Sequence, residues 1–340
     1  MPSERIPFVC PVDGGSLSLG DDVLVCGDCS REYPVIAGIP DLRLRYADEY
    51  VSWEEDRARA RELAEHLDDE DLVGLLRRHW RMSGKNPELA DRFVAGDVAT
   101  VERSEEYVGA IERERGGALS DGDSFLELGC GTAGLAAVAG RRAGDVVATD
   151  VSMRWLVLAK RRLLDLDLGD VRLACCAAEE PPFPWAAFTV VAASDVIEHV
   201  PNQWRFVNGA ATVLEPGGTL FLATPNRFSL GLEPHVRLWG VGWLPLGVAK
   251  RYVQAVRKAP YDHVRLLSSI DLRKLMRAEG LEVTIVPPEI PPGTQALYKG
   301  VELRLVKLYN RLRRLAPVRA ALLAVGPFFH VFATKRTPTS

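Results

Sequence analysis

The chain is poor in the features that would send it out of a cell or into a membrane. Its 340 residues contain no apolar run of the ~18 residues that a spanning helix requires. The nearest approach, 316–332, is interrupted by Arg319 and Pro327. The opening Met1-Pro-Ser-Glu-Arg5 leads into no apolar segment of the kind that directs secretion. Six cysteines show no paired framework of a secreted domain. Together these absences point to a reducing cytoplasm. No Lys/Arg-rich tract with interleaved aromatics accompanies the amino-terminal cysteines, which argues against nucleic acid as the main partner. What remains is an ordinary composition, 47% apolar and 26% charged. It is long enough for about two domains and a full core without disulfide staples.

The richest stretch is Phe125-Leu-Glu-Leu-Gly-Cys-Gly-Thr-Ala-Gly134. It reads as an apolar strand ending in a turn, with Gly129, Gly131 and Gly134 spaced G-x-G-x-x-G. Glycine there allows positive φ and lets backbone approach a ligand closely. N–H groups at the start of the next helix would face that ligand. The spacing alone is shared with dinucleotide-binding folds. Glu127, two residues before the first glycine, narrows it, because a carboxylate suits a ligand carrying an ammonium group. Further strands follow at 145–150, 171–176 and 188–194, and 214–226 reads as a helix end, a tight turn and a fifth strand, with helical segments between the strands. This alternation predicts an α/β fold, a parallel sheet with helices on both faces.

Residues 120–226 resemble a class I S-adenosylmethionine-dependent methyltransferase. The resemblance is carried by Glu127 through Thr132, Asp150, Ala178-Glu179 with Pro182-Phe-Pro184, Asp195 through Val200, and Pro216-Gly-Gly218. It implies a Rossmann-like, mostly parallel seven-stranded sheet. It also implies that Glu127 and Gly129 border the methionine end of S-adenosylmethionine, that Asp150 holds the ribose and that the segment at Ala178 and Glu179 lines the adenine. Cys130, Gly131, Val151 and Asp195 are further expected cofactor-binding residues. One departure concerns position 177, which is Ala where many relatives carry an Asp that bonds the adenine amine.

The amino-terminal segment holds Cys26-x-x-Cys29 and Cys10-x-x-Asp13. Zinc takes four such ligands in a tetrahedron. Residues 6–44 resemble the zinc-ribbon module that partners or precedes several methyltransferases, in which the position of Asp13 is often Cys. Cys10, Asp13, Cys26 and Cys29 are therefore the expected ligands of a structural Zn2+. The alternative is a metal-free ribbon with three free thiols. The remaining cysteines, Cys130, Cys175 and Cys176, read as small core residues. The expected organisation is a zinc-ribbon-like β module over 1–45, a helical connector and active-site cover over 46–116, and a methyltransferase domain over 117–340 with an acceptor lid near 227–268. Helical spacing marks 54–67, 70–80 and 104–115 in the connector, where Trp80, Arg81 and Tyr107 could line the site.

Methyl transfer to a hydroxyl needs a base or a metal to take its proton. Asp195, Glu198 and His199 follow the fourth strand, at the end of the sheet where ligands bind. Their D-x-x-E-H pattern resembles the E-x-x-E-H of ubiquinone-biosynthesis O-methyltransferases and small-RNA 2′-O-methyltransferases, whose acids and His bind a divalent cation. That leaves open Mg2+ at these residues, His199 as a metal-free base, or a structural role. His235 and His263, in the lid, are further base candidates. The charge is uneven. Residues 227–340 carry 19 Lys/Arg against 7 Asp/Glu, and the first 226 carry 23 against 39. A basic third suits an anionic or amphipathic acceptor. Trp239 and Trp243 beside Arg251, Arg257 and Lys258 would also suit peripheral membrane contact. The expected function is O-methylation of a small-molecule, sugar or lipid-linked acceptor. RNA methylation and a non-catalytic cofactor-binding scaffold are the alternatives.

Overall fold

Short, mainly apolar strands buried at most positions dominate the middle of the chain, and a sheet covered on both faces explains them. The computed structural model describes residues 5–44, 51–290, 295 and 299–337. An antiparallel meander comes first: β1 (Leu17–Leu19), β2 (Val23–Cys26), β3 (Glu32–Ile36) and β4 (Ile39–Pro40). Four helices follow: α1 (Trp53–Ala64), α2 (Leu72–Met82), α3 (Pro87–Val98) and α4 (Thr100–Arg115). Ser52, Asp71 and Asn86 each accept a backbone N–H at a helix start, as short polar side chains do. Helix α3 lies outside the segments marked by helical spacing, although Asn86 followed by Pro87 is a start signal.

The rest of the chain builds the main sheet from β5 (Ser124–Leu128), α5 (Gly134–Ala139), β6 (Asp145–Asp150), α6 (Met153–Asp165), β7 (Arg172–Cys175), β8 (Phe188–Ser194), α7 (Gln203–Val213) and β9 (Leu214–Pro225). A small hairpin, β10 (Leu232–Glu233) with β11 (Leu238–Trp239), opens the insertion. Then come α8 (Leu246–Arg257), α9 (Ser269–Ala278), β12 (Leu281–Val286), α10 (Gly300–Leu312), α11 (Ala316–Val325) and β13 (Phe328–Lys335). The seven-stranded order is β12-β13-β9-β8-β5-β6-β7, with β13 antiparallel to both neighbours. The expected mostly parallel α/β sheet is thus present. No helix among the described residues is long and apolar enough to cross a membrane.

Side chains alternate between two buried layers. Phe125, Val146, Ala148, Val190 and Phe221 face the layer of α1, α2, α4, α5 and α6. Leu126, Val147, Val191, Leu220 and Leu222 face the layer of α7 and α9. Phe125, Phe188, Phe206, Phe221 and Phe329 are fully buried, each worth about 1.5–3 kcal/mol relative to exposure. Trp80, a candidate site residue by sequence, is a packing residue. It stacks on Phe93 at 4.5 Å, and its indole N–H donates to Asp97 at 3.1 Å. The guanidinium of Arg81 bonds its own helix, at Arg77 O.

His79 on α2 lies between Trp80 and Trp155, and its Nδ1 finds no partner among the described residues. Burial, and then the charge of Arg154, lower its pKa to about 3. The folded protein keeps this ring neutral while the unfolded chain protonates near the ordinary 6.5. The unfolded state then binds more protons between those two values, so His79 costs no stability above pH 7 and an increasing amount as pH falls below about 6.5. By pH 5 the loss should reach about 2 kcal/mol. His79→Phe should flatten that part of the pH–stability curve measured by denaturant titration. An unchanged slope would remove His79 as its source.

Candidate active site

Two acids shape the turn after β5. Helix α5 begins after Ala133 at φ 56° without a side-chain cap of its own. Glu127, on the strand beneath, supplies the missing acceptor: its carboxylate takes Ala136 N–H at 2.7 Å. Burial raises that carboxyl to about 8, against the pull of the Ala136 and Leu135 N–H groups. Asp150 at the end of β6 accepts Gly131 N–H and Ser152 N–H, both at 2.8 Å. Burial raises it to about 6, with those bonds opposing. Gly131 sits at φ 50° with open space where a Cβ would be. Gly129, at φ 70°, would push a Cβ to 2.5 Å from Val196. Any side chain at either position is strained, and one at 131 enters the open space.

That space is a cavity of about 330 Å³ lined by Gly129, Gly131, Asp150, Val151, Ala178, Glu179, Asp195 and His199, among others. Most of the expected cofactor-binding residues therefore meet in one cavity. Glu127 and Cys130 do not line it: both are buried beneath the turn. Cys176 and Ala177 do line it, and the Ala177 methyl leaves Glu179 as the acid at that wall. Glu179 also accepts Asn202 N–H at 3.3 Å.

A second cavity, about 620 Å³, adjoins the first, and Asp195 lines both. Asp195 is held at φ 56°, a costly conformation outside glycine that is kept where the surroundings impose it. The larger cavity is walled by Tyr107, Pro225, Phe328, Phe329 and His330, with Arg103 and Arg113 on exposed positions of its rim. Tyr107 was anticipated; His330 was not, because a lone His in an apolar strand carries no signal. Burial lowers its pKa to about 4, so it faces the cavity neutral.

The insertion folds a second histidine onto the first. His235 Nε2 lies 3.0 Å from His199 Nε2. Glu233 pairs with His235 Nδ1, which directs the lone pair of His235 Nε2 toward His199. Glu198 is fully buried. Thr224 donates to one of its oxygens at 3.1 Å, and the other has no partner among the described residues. Ligand atoms of Glu198, His199 and His235 all lie within 4.8 Å of one another. Burial and Asp195 raise Glu198 to about 8, while burial and His235 lower His199 to about 4. His235 is raised, the Glu233 bond outweighing burial. His263 lines neither cavity and is not in this group. Glu233, which orients His235, was not anticipated, since its role arises only once the hairpin closes.

In the amino-terminal module Cys10, Asp13, Cys26 and Cys29 also come within 4.8 Å of one another. Cys10 Sγ and Cys29 Sγ are 3.7 Å apart, and Cys26 Sγ is 3.4 Å from Asp13 Oδ1. Tetrahedral zinc with bonds of about 2.3 Å to sulfur needs sulfur–sulfur edges of about 3.8 Å, so the donor set fits that ion.

Residues 126–222 match the family described as methyltransferase domain. The chain is similar to the ubiquinone biosynthesis O-methyltransferase of Idiomarina loihiensis, 27% identical over 179 residues, covering 52% of this chain and 67% of the relative. It is similar to the 27-O-demethylrifamycin SV methyltransferase of Amycolatopsis mediterranei, 34% identical over 149 residues, covering 42% and 54%. A ubiquinone biosynthesis O-methyltransferase from Parvibaculum lavamentivorans is 32% identical over 128 residues, covering 36% and 49%. The alignments thus span about half to two thirds of these relatives' length. If the 330 Å³ cavity holds the adenosyl cofactor, Gly131→Arg should abolish calorimetric binding of S-adenosylhomocysteine while shifting the melting temperature by only a few degrees. Undiminished binding would place the cofactor elsewhere. The sheet order, the glycine turn with its two acids and the family match agree on a methyltransferase domain of the class I, S-adenosylmethionine-dependent kind around residues 126–222.

Proposed function

We propose that the protein transfers a methyl group from S-adenosylmethionine to a hydroxyl of an amphipathic small molecule, a sugar or lipid-linked biosynthetic acceptor among them. The observation that carries this reading is the convergence of Glu198, His199 and His235 beside Asp195, where the two cavities meet. The O-methyltransferase names of the relatives agree with an oxygen acceptor. S-adenosylmethionine supplies, when bound, a methyl group on a sulfonium open to in-line displacement, and the protein must hold the acceptor oxygen in line and collect its proton.

The larger cavity suits such an acceptor. Phe328, Phe329 and Pro225 offer an apolar wall, and Arg103 and Arg113 can meet an anionic substituent at the rim. Exposed Trp239 and Trp243 beside the basic helix α8 would favour delivery from an anionic membrane surface. The donor set of Glu198, His199 and His235 fits a divalent cation such as Mg2+, and the buried Glu198 oxygen that has no partner among the described residues is the specific reason. Such an ion would acidify the acceptor hydroxyl. Glu233 then serves as the carboxylate that fixes a ligating histidine. Without an ion, the pair of facing Nε2 atoms gives one imidazole able to take the proton. Zn2+ at Cys10, Asp13, Cys26 and Cys29 would be structural, all four donors being protein atoms.

Candidate hydroxyl acceptors incubated with isotopically labelled cofactor and analysed by mass spectrometry test the reaction. Chelation should abolish labelling, and magnesium or manganese should restore it. If chelator does nothing while His199→Ala lowers turnover roughly 10²–10⁴-fold, the group works as a base without metal. Full activity of His199→Ala with and without chelator would exclude both roles. Elemental analysis of protein purified without added metal should find one zinc per chain, and Cys29→Ala should lose it. A content near zero with all three module thiols reactive would mark the ribbon as metal-free.

A further inference from the structure

The amino-terminal module grips the cofactor cavity from both sides. On one side, Val9 N–H donates to Pro182 O at 2.9 Å, and Phe8 packs on Phe183 at 5.6 Å between ring centroids. These contacts hold the segment that follows Ala178 and Glu179. On the other side, the chain leaving β4 runs beside the edge strand β7. Asp41 bridges Cys175 in parallel, and Leu42 N–H donates to Cys175 O at 2.8 Å. The same Leu42 packs in one cluster with Cys10, Cys26 and Tyr33.

Arg43 is the end of this grip. Its guanidinium binds both oxygens of Asp41 at 2.6 Å, Asp56 at 2.8 Å and the carbonyl of Val151 at 2.8 Å. The side chains of Arg43, Asp41 and Asp56 are wholly buried. Asp56, on α1, also takes Met153 N–H at 2.9 Å and the Arg154 guanidinium at 2.7 Å. In this way it caps α6, whose own N-cap Ser152 makes no side-chain cap. Val151 and Ser152 follow Asp150 directly and line the 330 Å³ cavity. This loop is therefore tied to the module and to its first helix. Farther along α6, Lys160 donates to Ala37 O at 2.6 Å.

Buried ion pairs of this kind are poor sources of stability but strict about geometry, because each charge has few low-energy arrangements. Without Arg43, the cation shared by the two buried carboxylates would be gone: Asp41 would keep Arg57 at 2.8 Å, Asp56 the Arg154 guanidinium, and Val151 O only the Cys175 thiol at 3.6 Å. The carboxylates would move apart, and Asp56 would carry the Met153 and Arg154 amides with it.

We infer that Asp41, Leu42 and Arg43 form a strut through which the amino-terminal module positions the loop Asp150–Ser152, so that the order of that module sets cofactor affinity. Arg43 is a positioning residue in this scheme, acting through Val151 and Asp56. The inference rests on the reading of the 330 Å³ cavity as the cofactor site. It carries a reciprocal consequence, since two coupled sites must stabilise one another equally. Cofactor bound in the cavity must tighten the module.

The test uses the full chain and S-adenosylhomocysteine. Calorimetry should show at least tenfold weaker binding for Arg43→Met than for the unsubstituted protein, at a temperature where both remain folded. Saturating S-adenosylhomocysteine should slow amide hydrogen exchange of the module strands β1 to β4 at least fivefold in the unsubstituted protein and less than twofold in Arg43→Met. Exchange is read in peptides within residues 17–40, none of which lines the 330 Å³ cavity. A residue that only stabilised the fold would lower the melting temperature and leave both readouts unchanged. Should Arg43→Met fail to fold, Asp41→Asn keeps the shape and should show the same loss of affinity. Failure of the unsubstituted protein to bind S-adenosylhomocysteine would overturn the cofactor reading. Binding with affinities within twofold in the variants, or module exchange indifferent to ligand, would overturn the strut.

Discussion

The hydrogen bond from Gly131 N–H to Asp150 is the constraint on which the site depends. It joins the ends of two neighbouring parallel strands across the gap that their registers leave. Parallel strands cannot be closed by tight hairpins, so their carboxyl ends splay into loops that need some other tie. Here the tie is an acid on one strand and a glycine amide after the other. It fixes the rim of the cavity and leaves the glycine face bare. Glu127 does the complementary work below, satisfying the start of a six-residue helix that is too short and too apolar to cap itself.

Much of this was legible in the sequence, for definite reasons. Strand–turn–helix order is written in local chemistry, so β5, β6 and β8 fall within a residue or two of their expected positions. Asp150 and Asp195 were legible because each ends an apolar strand, where a carboxylate is costly unless a ligand or a backbone amide meets it. The role of Glu127 was half legible: an acid at the turn was expected, but the amides that occupy it belong to a helix whose angle no spacing reveals. His235 was named from its place in the lid, but its contact with His199 was not, and Glu233 and His330 also reach the site only through the insertion hairpin and the last strand. Their placement is set by contacts far apart along the chain, which periodicity does not report. Arg43 was invisible for the same reason. An arginine beside a charged connector has no local mark of burial, and its partners Asp56 and Val151 come from two other segments.

The division of labour between segments follows from the sheet. The parallel core supplies backbone amides and acids, which suit a ligand common to many proteins. The insertion and β13 supply His235, His330 and the aromatic wall of the second cavity. Asp195 stands where the two meet, and its left-handed backbone is the local cost of turning the chain from one cavity to the other.

The position of β13 has a consequence for how the protein is made. This strand is not added to an edge: it slots between β12 and β9, pairing with both. Until it emerges, β9 presents an open edge and the wall bearing Phe328, Phe329 and His330 does not exist. At synthesis rates of roughly 5–20 residues per second, the nascent chain spends on the order of ten seconds with β5 to β8 complete and the second cavity unbuilt. During that interval it can form the cavity at the glycine turn, while the second cavity waits for the ribosome to deliver one more strand.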